Sequence, residues 1–294
     1  MALRRHLPTL LALLLAVVLA PLARPTGAAD PPAPTAAGLG DVYLALGDSL
    51  ATGDEHPDNN DQAPGYPAYL HQLLEQGGSI ALENLGVSGE TSSSMLAPGG
   101  QLDQAEAFIS AERAAGRRVS PVTLSIGGND MVNVLLPGSS ATISDTLVSY
   151  RANLVQILDR LVAALDDGGQ PSGDLLIMNY YNPYPNLRAS SPLPLNADPD
   201  RDVLRFNEII AEEAAARGIT VVDVYSAFRG RESSLTFVRF PYNFFDQANL
   251  FRNFDYHPRV EGHHVIARSF AEATGYAIPL PRLYLPVTRE VGGQ

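Results

Sequence analysis

Val42-Tyr43-Leu44-Ala45-Leu46-Gly47-Asp48-Ser49-Leu50 sets the frame for the whole chain. Five apolar residues in a row, with no polar–apolar alternation, read as a strand covered on both faces. Glycine then breaks the run, and the turn Asp48-Ser49 leads into a helical pattern. Four further runs, mostly apolar with little alternation, lie at residues 80–85, 122–126, 175–179 and 220–224. Helical patterns separate them. The clearest places Leu147, Leu154, Leu158, Leu161 and Leu165 on one face, with Gly168-Gly169 just beyond its end. Others cover residues 201–217, stopped by Gly218, and 260–274, following Pro258. Five strand–helix units in series predict an α/β fold: a three-layer α/β/α sandwich on a mainly parallel five-stranded sheet. In such sheets the site lies beyond the carboxyl ends of the strands.

Working outward, residues 41–294 read as a single domain, with no internal repeat. Residues 30–40 are rich in Pro, Ala and Gly and read as a flexible lead-in. Residues 1–29 are of another kind. Arg4 and Arg5 precede an unbroken apolar run over residues 10–20, and small residues follow to Ala29. These are the parts of a secretory signal peptide. Eleven helical residues rise about 16 Å, too little to cross a hydrocarbon core of about 30 Å. The expectation is therefore an exported, secreted protein without stable membrane association after signal cleavage.

The 294 residues carry 20 basic and 32 acidic side chains, a formal net charge of −12, and removal of the signal takes away three arginines and no acid. So acidic a chain is a poor partner for nucleic acid or an anionic membrane. With no cysteine, a disulfide framework, a thiol nucleophile and cysteine-ligated metal are excluded. Lysine is absent too; every base is arginine, which nothing in the chemistry explains.

Four segments carry the candidate chemistry. Gly47-Asp48-Ser49-Leu50 presents a serine hydroxyl on a tight strand-to-helix turn. Gly86-Val87-Ser88-Gly89-Glu90 follows the second strand, and Gly127-Gly128-Asn129-Asp130 the third. Asp255-Tyr256-His257-Pro258 precedes the last helix. A serine hydroxyl needs a base within hydrogen-bond reach to attack a carbonyl, and His257 is the candidate, since histidine is the commonest general base. The negative charge that develops on the carbonyl oxygen needs donors fixed in advance. The backbone N–H groups of Ser49 and Gly89 and the side-chain amide of Asn129 supply three. Asp48 and Asp130 read as partners of the turns rather than as reacting groups.

These four blocks, in this order, resemble the SGNH hydrolases, also called GDSL lipases and esterases, over roughly residues 41–274. The resemblance puts Ser49 at the nucleophile, Gly89 and Asn129 in the oxyanion hole and His257 at the general base. It implies a flavodoxin-like α/β/α fold and ester hydrolysis with no metal or other cofactor. One position departs: the family commonly has an aspartate three residues before the histidine, where this chain has Phe254. Asp255 stands two before. In an extended segment residues i and i+2 point to the same side, so Asp255 is the expected orienting acid. A backbone carbonyl or Asp246 are the alternatives.

For the substrate the expectation is a small-molecule or lipid ester. Residues 237–256 are rich in aromatics; Phe245, Phe254 and Tyr256 are the candidates for an apolar wall beside the site, against the alternative that the segment is simply a packed loop. His56 sits in an acidic loop whose spacing matches no metal site, and His71, His263 and His264 read as helix residues. Two other functions stay open: a carbohydrate O-deacetylase on the same machinery, and a non-catalytic surface binding protein that keeps the fold.

Overall fold

A computed structural model describes residues 37–53, 64–135, 142–192 and 198–279. The signal peptide expected at 1–29 and the loop that carries His56 lie outside the described residues. The sheet has five strands: β1 (Val42–Gly47), β2 (Ala81–Asn84), β3 (Val119–Ser125), β4 (Leu175–Met178) and β5 (Thr220–Val222). All are parallel, in the order β2-β1-β3-β4-β5. Every residue of β1, β3 and β4 is buried, including Ser120, Thr123 and Ser125 of β3, while the edge strand β2 is half-exposed.

Between the strands run α1 (Ser49–Thr52), α2 (Tyr66–Leu74), α3 (Ser92–Met95), α4 (Gln101–Ala114), α5 (Gly128–Leu135), α6 (Ile143–Ala164), α7 (Pro199–Ala215) and α8 (Val260–Ala273). Right-handed crossovers fix which face each one covers. The chain steps from β1 to β2 in one direction and from β2 to β5 in the other, so α2 lies on one face and α4, α6 and α7 on the opposite one. Helix α8 returns to the face of α2, where Tyr66 stacks on Phe270 with ring centroids 5.0 Å apart. Helix α6 is the predicted apolar stripe: Leu147, Leu154, Leu158 and Leu161 are all buried. Each such side chain contributes about 1.5–3 kcal/mol of burial.

Two local readings differ from the sequence expectation. Gly168 and Gly169 do not cap α6, which ends on Leu165. With φ of 63° and 86° they form the turn between the two-residue strands Asp166–Asp167 and Gln170–Pro171, a turn that needs positive φ at both centres. Ala37, Gly38 and Leu39, read as lead-in, are held to the domain. The Asp174 carboxylate accepts the N–H groups of Ala37 and Gly38, and the Arg118 guanidinium donates to the carbonyls of all three. Among the described residues no helix is long and apolar enough to cross a membrane.

The reversal of strand order falls between β1 and β3. There the loops after both strands open away from each other and leave a crevice at the carboxyl edge. Ser49 follows β1, Asn129 follows β3, and the Gly89 loop follows β2 on the neighbouring edge.

Candidate active site

Ser49 is the first residue of α1. Asp48 caps that turn: its Oδ1 accepts the Leu50 N–H at 3.0 Å. Gly47 is at φ 144°, and a Cβ there would sit 2.4 Å from the carbonyl oxygen of Ser125, so only glycine lets β1 end so close to β3. A buried side chain from α4 then clamps the Gly47 residue from both sides. Gln101 Oε1 accepts the Gly47 N–H at 2.7 Å, and its Nε2 donates to the Gly47 carbonyl at 2.9 Å. The same Nε2 reaches the Glu90 carboxylate at 3.1 Å, which joins the nucleophile turn to the loop after β2.

That loop is also tied to β1 by the Val87 N–H, which donates to the Gly47 carbonyl at 2.9 Å. Gly89 lies on it, exposed. Its glycine answers a backbone requirement, φ 78°, rather than close approach, since a Cβ would meet nothing within 4 Å. Asn129, near the start of α5, donates one amide N–H to the Glu90 carbonyl at 2.9 Å. An amide has a second N–H, and that one is not used by this bond. Asp130 does not serve its own turn. Its two oxygens accept from Ser92, at 2.9 Å from the backbone N–H and 2.6 Å from the hydroxyl, and so fasten α5 to α3.

His257 meets Ser49 from the other side: the serine Oγ lies 2.9 Å from His257 Nε2. Asp255 Oδ1 lies 2.7 Å from His257 Nδ1 and accepts the His257 backbone N–H at 3.1 Å. With Nδ1–H given to the carboxylate, Nε2 carries the lone pair and the serine hydroxyl donates to it. The double acceptance by Oδ1 is an Asx turn, in which an aspartate bonds the backbone two residues on. This is why a two-residue spacing suffices where three is commoner. Asp246, the alternative acid, instead accepts from Asn249 and Asn253.

The carbonyls around Asp255 are gripped by tyrosines. Tyr184 donates to Phe254 O at 2.6 Å, Tyr181 to Tyr256 O at 2.8 Å, and the Phe237 N–H to His257 O at 3.0 Å. Tyr180, beside Tyr181, donates to Asp48 Oδ2 at 2.9 Å, while Asn207 of α7 bonds both its N–H and its carbonyl at 2.8 Å. Burial raises the Asp48 carboxyl to about 6, against the pull of the Leu50 and Tyr180 hydrogen bonds and the attraction of His257. Burial likewise holds the Tyr180 and Tyr181 phenols above their ordinary range, so both act as neutral donors.

The three aromatic candidates separate. Tyr256 stacks on His257 with centroids 4.5 Å apart, places its hydroxyl 3.5 Å from Asn129 Oδ1 and lines a cavity beside Ser49. Phe254 packs among Tyr184, Tyr242 and Phe244. Phe245 is 81% exposed and does not line that cavity. For Phe254 the packed-loop alternative is therefore the one observed. Among the other histidines, His71 bonds the Ile80 carbonyl and His264 packs at a tilt against Tyr69. His263 is fully buried, neither ring nitrogen has a hydrogen-bond partner among the described residues, and burial lowers its pKa to about 3.

Sequence reading missed Gln101, Asn207 and the run Tyr180-Tyr181-Asn182-Pro183-Tyr184. For the tyrosines a signal was present, because they leave the carboxyl end of β4, the edge where the site belongs.

A parallel sheet in this order, with a serine after the first strand bonded to a histidine before the last helix and an asparagine after the third strand lining the same cavity, defines the SGNH hydrolase class of α/β/α protein. The chain belongs to the GDSL-like lipase/acylhydrolase family, whose family model matches residues 45–265. Solved structures agree on the fold. The lipase Lip_vut3 from a goat rumen metagenome is 19% identical at a TM-score of 0.56, over 80% of this chain and 97% of its own. The acetylxylan esterase Axe2 from Geobacillus stearothermophilus is 19% identical at 0.54, over 82% of this chain and 97% of its own. No curated protein matches the chain in sequence.

Proposed function

We propose that this protein is an exported serine hydrolase of carboxylic esters, working through an acyl-enzyme on Ser49. His257 Nε2 takes the Ser49 proton as Oγ bonds to the substrate carbonyl carbon, and Asp255 holds the imidazole in the required tautomer and stabilises its positive form. The carbonyl oxygen, now an anion, lies against the Ser49 N–H, the Gly89 N–H and the free Asn129 N–H. When the intermediate collapses, the carbon–oxygen bond to the alcohol breaks and His257 returns its proton to the departing alkoxide. Water then attacks the acyl-enzyme, losing its proton to the same nitrogen, and the carboxylic acid leaves as Ser49 regains its hydrogen.

The observation that carries this reading is the unbroken relay from Asp255 Oδ1 to His257 at 2.7 Å and from His257 to Ser49 Oγ at 2.9 Å. A protein that only bound ligands on this fold would need neither contact. The test is hydrolysis of p-nitrophenyl acetate by the wild type and by Ser49→Ala. Loss of turnover in the variant supports the reading, and equal turnover refutes it. Export rests on the composition of residues 1–29; N-terminal sequencing of secreted protein is expected to begin at Asp30, and an intact Met1 in cell extracts alone would count against it. A carbohydrate O-deacetylase remains the second reading, favoured by the narrowness of the cavity at Ser49.

A further inference from the structure

The cavity beside Ser49 lies on the β3–β4 side of the nucleophile, between α5 and the segment that leaves β4. Ser49, Met131, Val132, Tyr180, Tyr181 and Tyr256 are among the residues that line it. It leaves about 20 Å³ for the centre of a water-sized sphere, and about 10–15 Å³ by this measure holds one water. The space thus takes a group of about one or two heavy atoms. Nearly all of its exposed lining is apolar, so it suits a hydrocarbon tail.

Its walls do not yield easily. The Tyr180 hydroxyl is bonded to Asp48 and the residue's backbone to Asn207. The Tyr181 hydroxyl is bonded to the Tyr256 carbonyl, and its ring stacks on Phe228 at 4.2 Å and 15°. Rotating either ring leaves a buried polar group without its partner. The opposite side of Ser49 differs: Gly89 is exposed, and the His257 side chain, which must protonate the leaving group, reaches solvent.

We propose that this cavity is the acyl subsite, that it admits acetyl and propionyl groups and rejects long acyl chains, and that the alcohol part of the substrate lies outside it. The proposal rests on the serine-hydrolase reading above and adds the substrate class: short-chain esters, with size tolerated on the alcohol side.

The experiment measures kcat/KM for p-nitrophenyl acetate, butyrate, hexanoate and octanoate with wild type, Ser49→Ala, Met131→Ala and Val132→Ala. Each methylene refused by a pocket is worth about 10-fold or more in specificity. Wild type is expected to lose at least about 10-fold from acetate to hexanoate. Either enlarging variant is expected to raise the hexanoate-to-acetate ratio by about 10-fold. Met131 is buried and Val132 only partly so, which keeps one variant foldable if the other is not. Serine-dependent activity that is flat or rises with chain length overturns the acyl subsite and leaves the hydrolase reading standing. A short-chain preference that neither variant moves overturns the assignment of the preference to this cavity. Absence of Ser49-dependent turnover on every ester overturns both.

Discussion

Replacing Asp255 by asparagine removes one negative charge from beneath His257. The side chain is buried, and its Oδ1 lies 2.7 Å from Nδ1 and 3.1 Å from the backbone nitrogen of His257. An asparagine Oδ1 can keep the backbone bond, so the Asx turn survives. The missing element is attraction to the imidazolium that forms in the transition state. Two unit charges about 4 Å apart interact by about 4 kcal/mol at an effective dielectric of 20. With about 1.36 kcal/mol for each factor of ten, the expected fall in kcat is about 10³-fold. Because the charge acts only once His257 is protonated, KM should stay within about 3-fold. The assay is steady-state hydrolysis of p-nitrophenyl acetate, with circular dichroism to show that the variant is folded. A folded Asp255→Asn enzyme within a few-fold of wild type would refute the assignment of Asp255 as the orienting acid.

Three further outcomes follow from groups around the site. The Asp48 carboxyl is raised from 3.8 to about 6 by burial, so the folded state holds its proton more tightly than the unfolded chain. Its stabilising contribution is full below about 4 and lost as pH rises through about 6. Asp48→Asn should therefore gain about 1–3 kcal/mol relative to wild type between pH 4 and pH 7 in urea melts, and an unchanged difference would contradict this. Tyr184→Phe leaves the Phe254 carbonyl without its 2.6 Å donor beside the Asp255 turn; stability should drop by about 1–3 kcal/mol and kcat more than KM, whereas wild-type values for both would count against the grip. His263→Leu replaces a buried imidazole that has no hydrogen-bond partner among the described residues by an apolar group and should raise Tm by about 2–4 °C for each kcal/mol recovered, whereas a lower Tm would mean that the ring has a partner such as buried water.

The layers and the sheet were readable from the chain because β1, β3 and β4 are buried on both faces and carry runs that no helix period explains. That Ser49, Asn129 and His257 come together was readable because each sits in a turn with its own local pattern. Asp255 followed from the parity of an extended segment, and the structure adds the Asx turn that holds it. The supporting groups were hidden for a different reason. Gln101 meets Gly47 from 54 positions away and Tyr180 meets Asp48 from 132 away, and neither pairing leaves a trace in local sequence. Aromatic density near the site carried no direction either: Tyr256 faces the cavity, Phe254 packs in a cluster and Phe245 meets solvent. Those outcomes depend on how residues 237–256 fold against the tyrosines after β4.

The most direct test of the central claim is the site of covalent modification. Protein treated with a fluorophosphonate probe, digested and read by mass spectrometry should carry one adduct, on the peptide containing Ser49, with its formation abolished in Ser49→Ala and strongly slowed in His257→Ala. An adduct on another serine, or ester turnover that persists while Ser49 stays unmodified, would contradict the account.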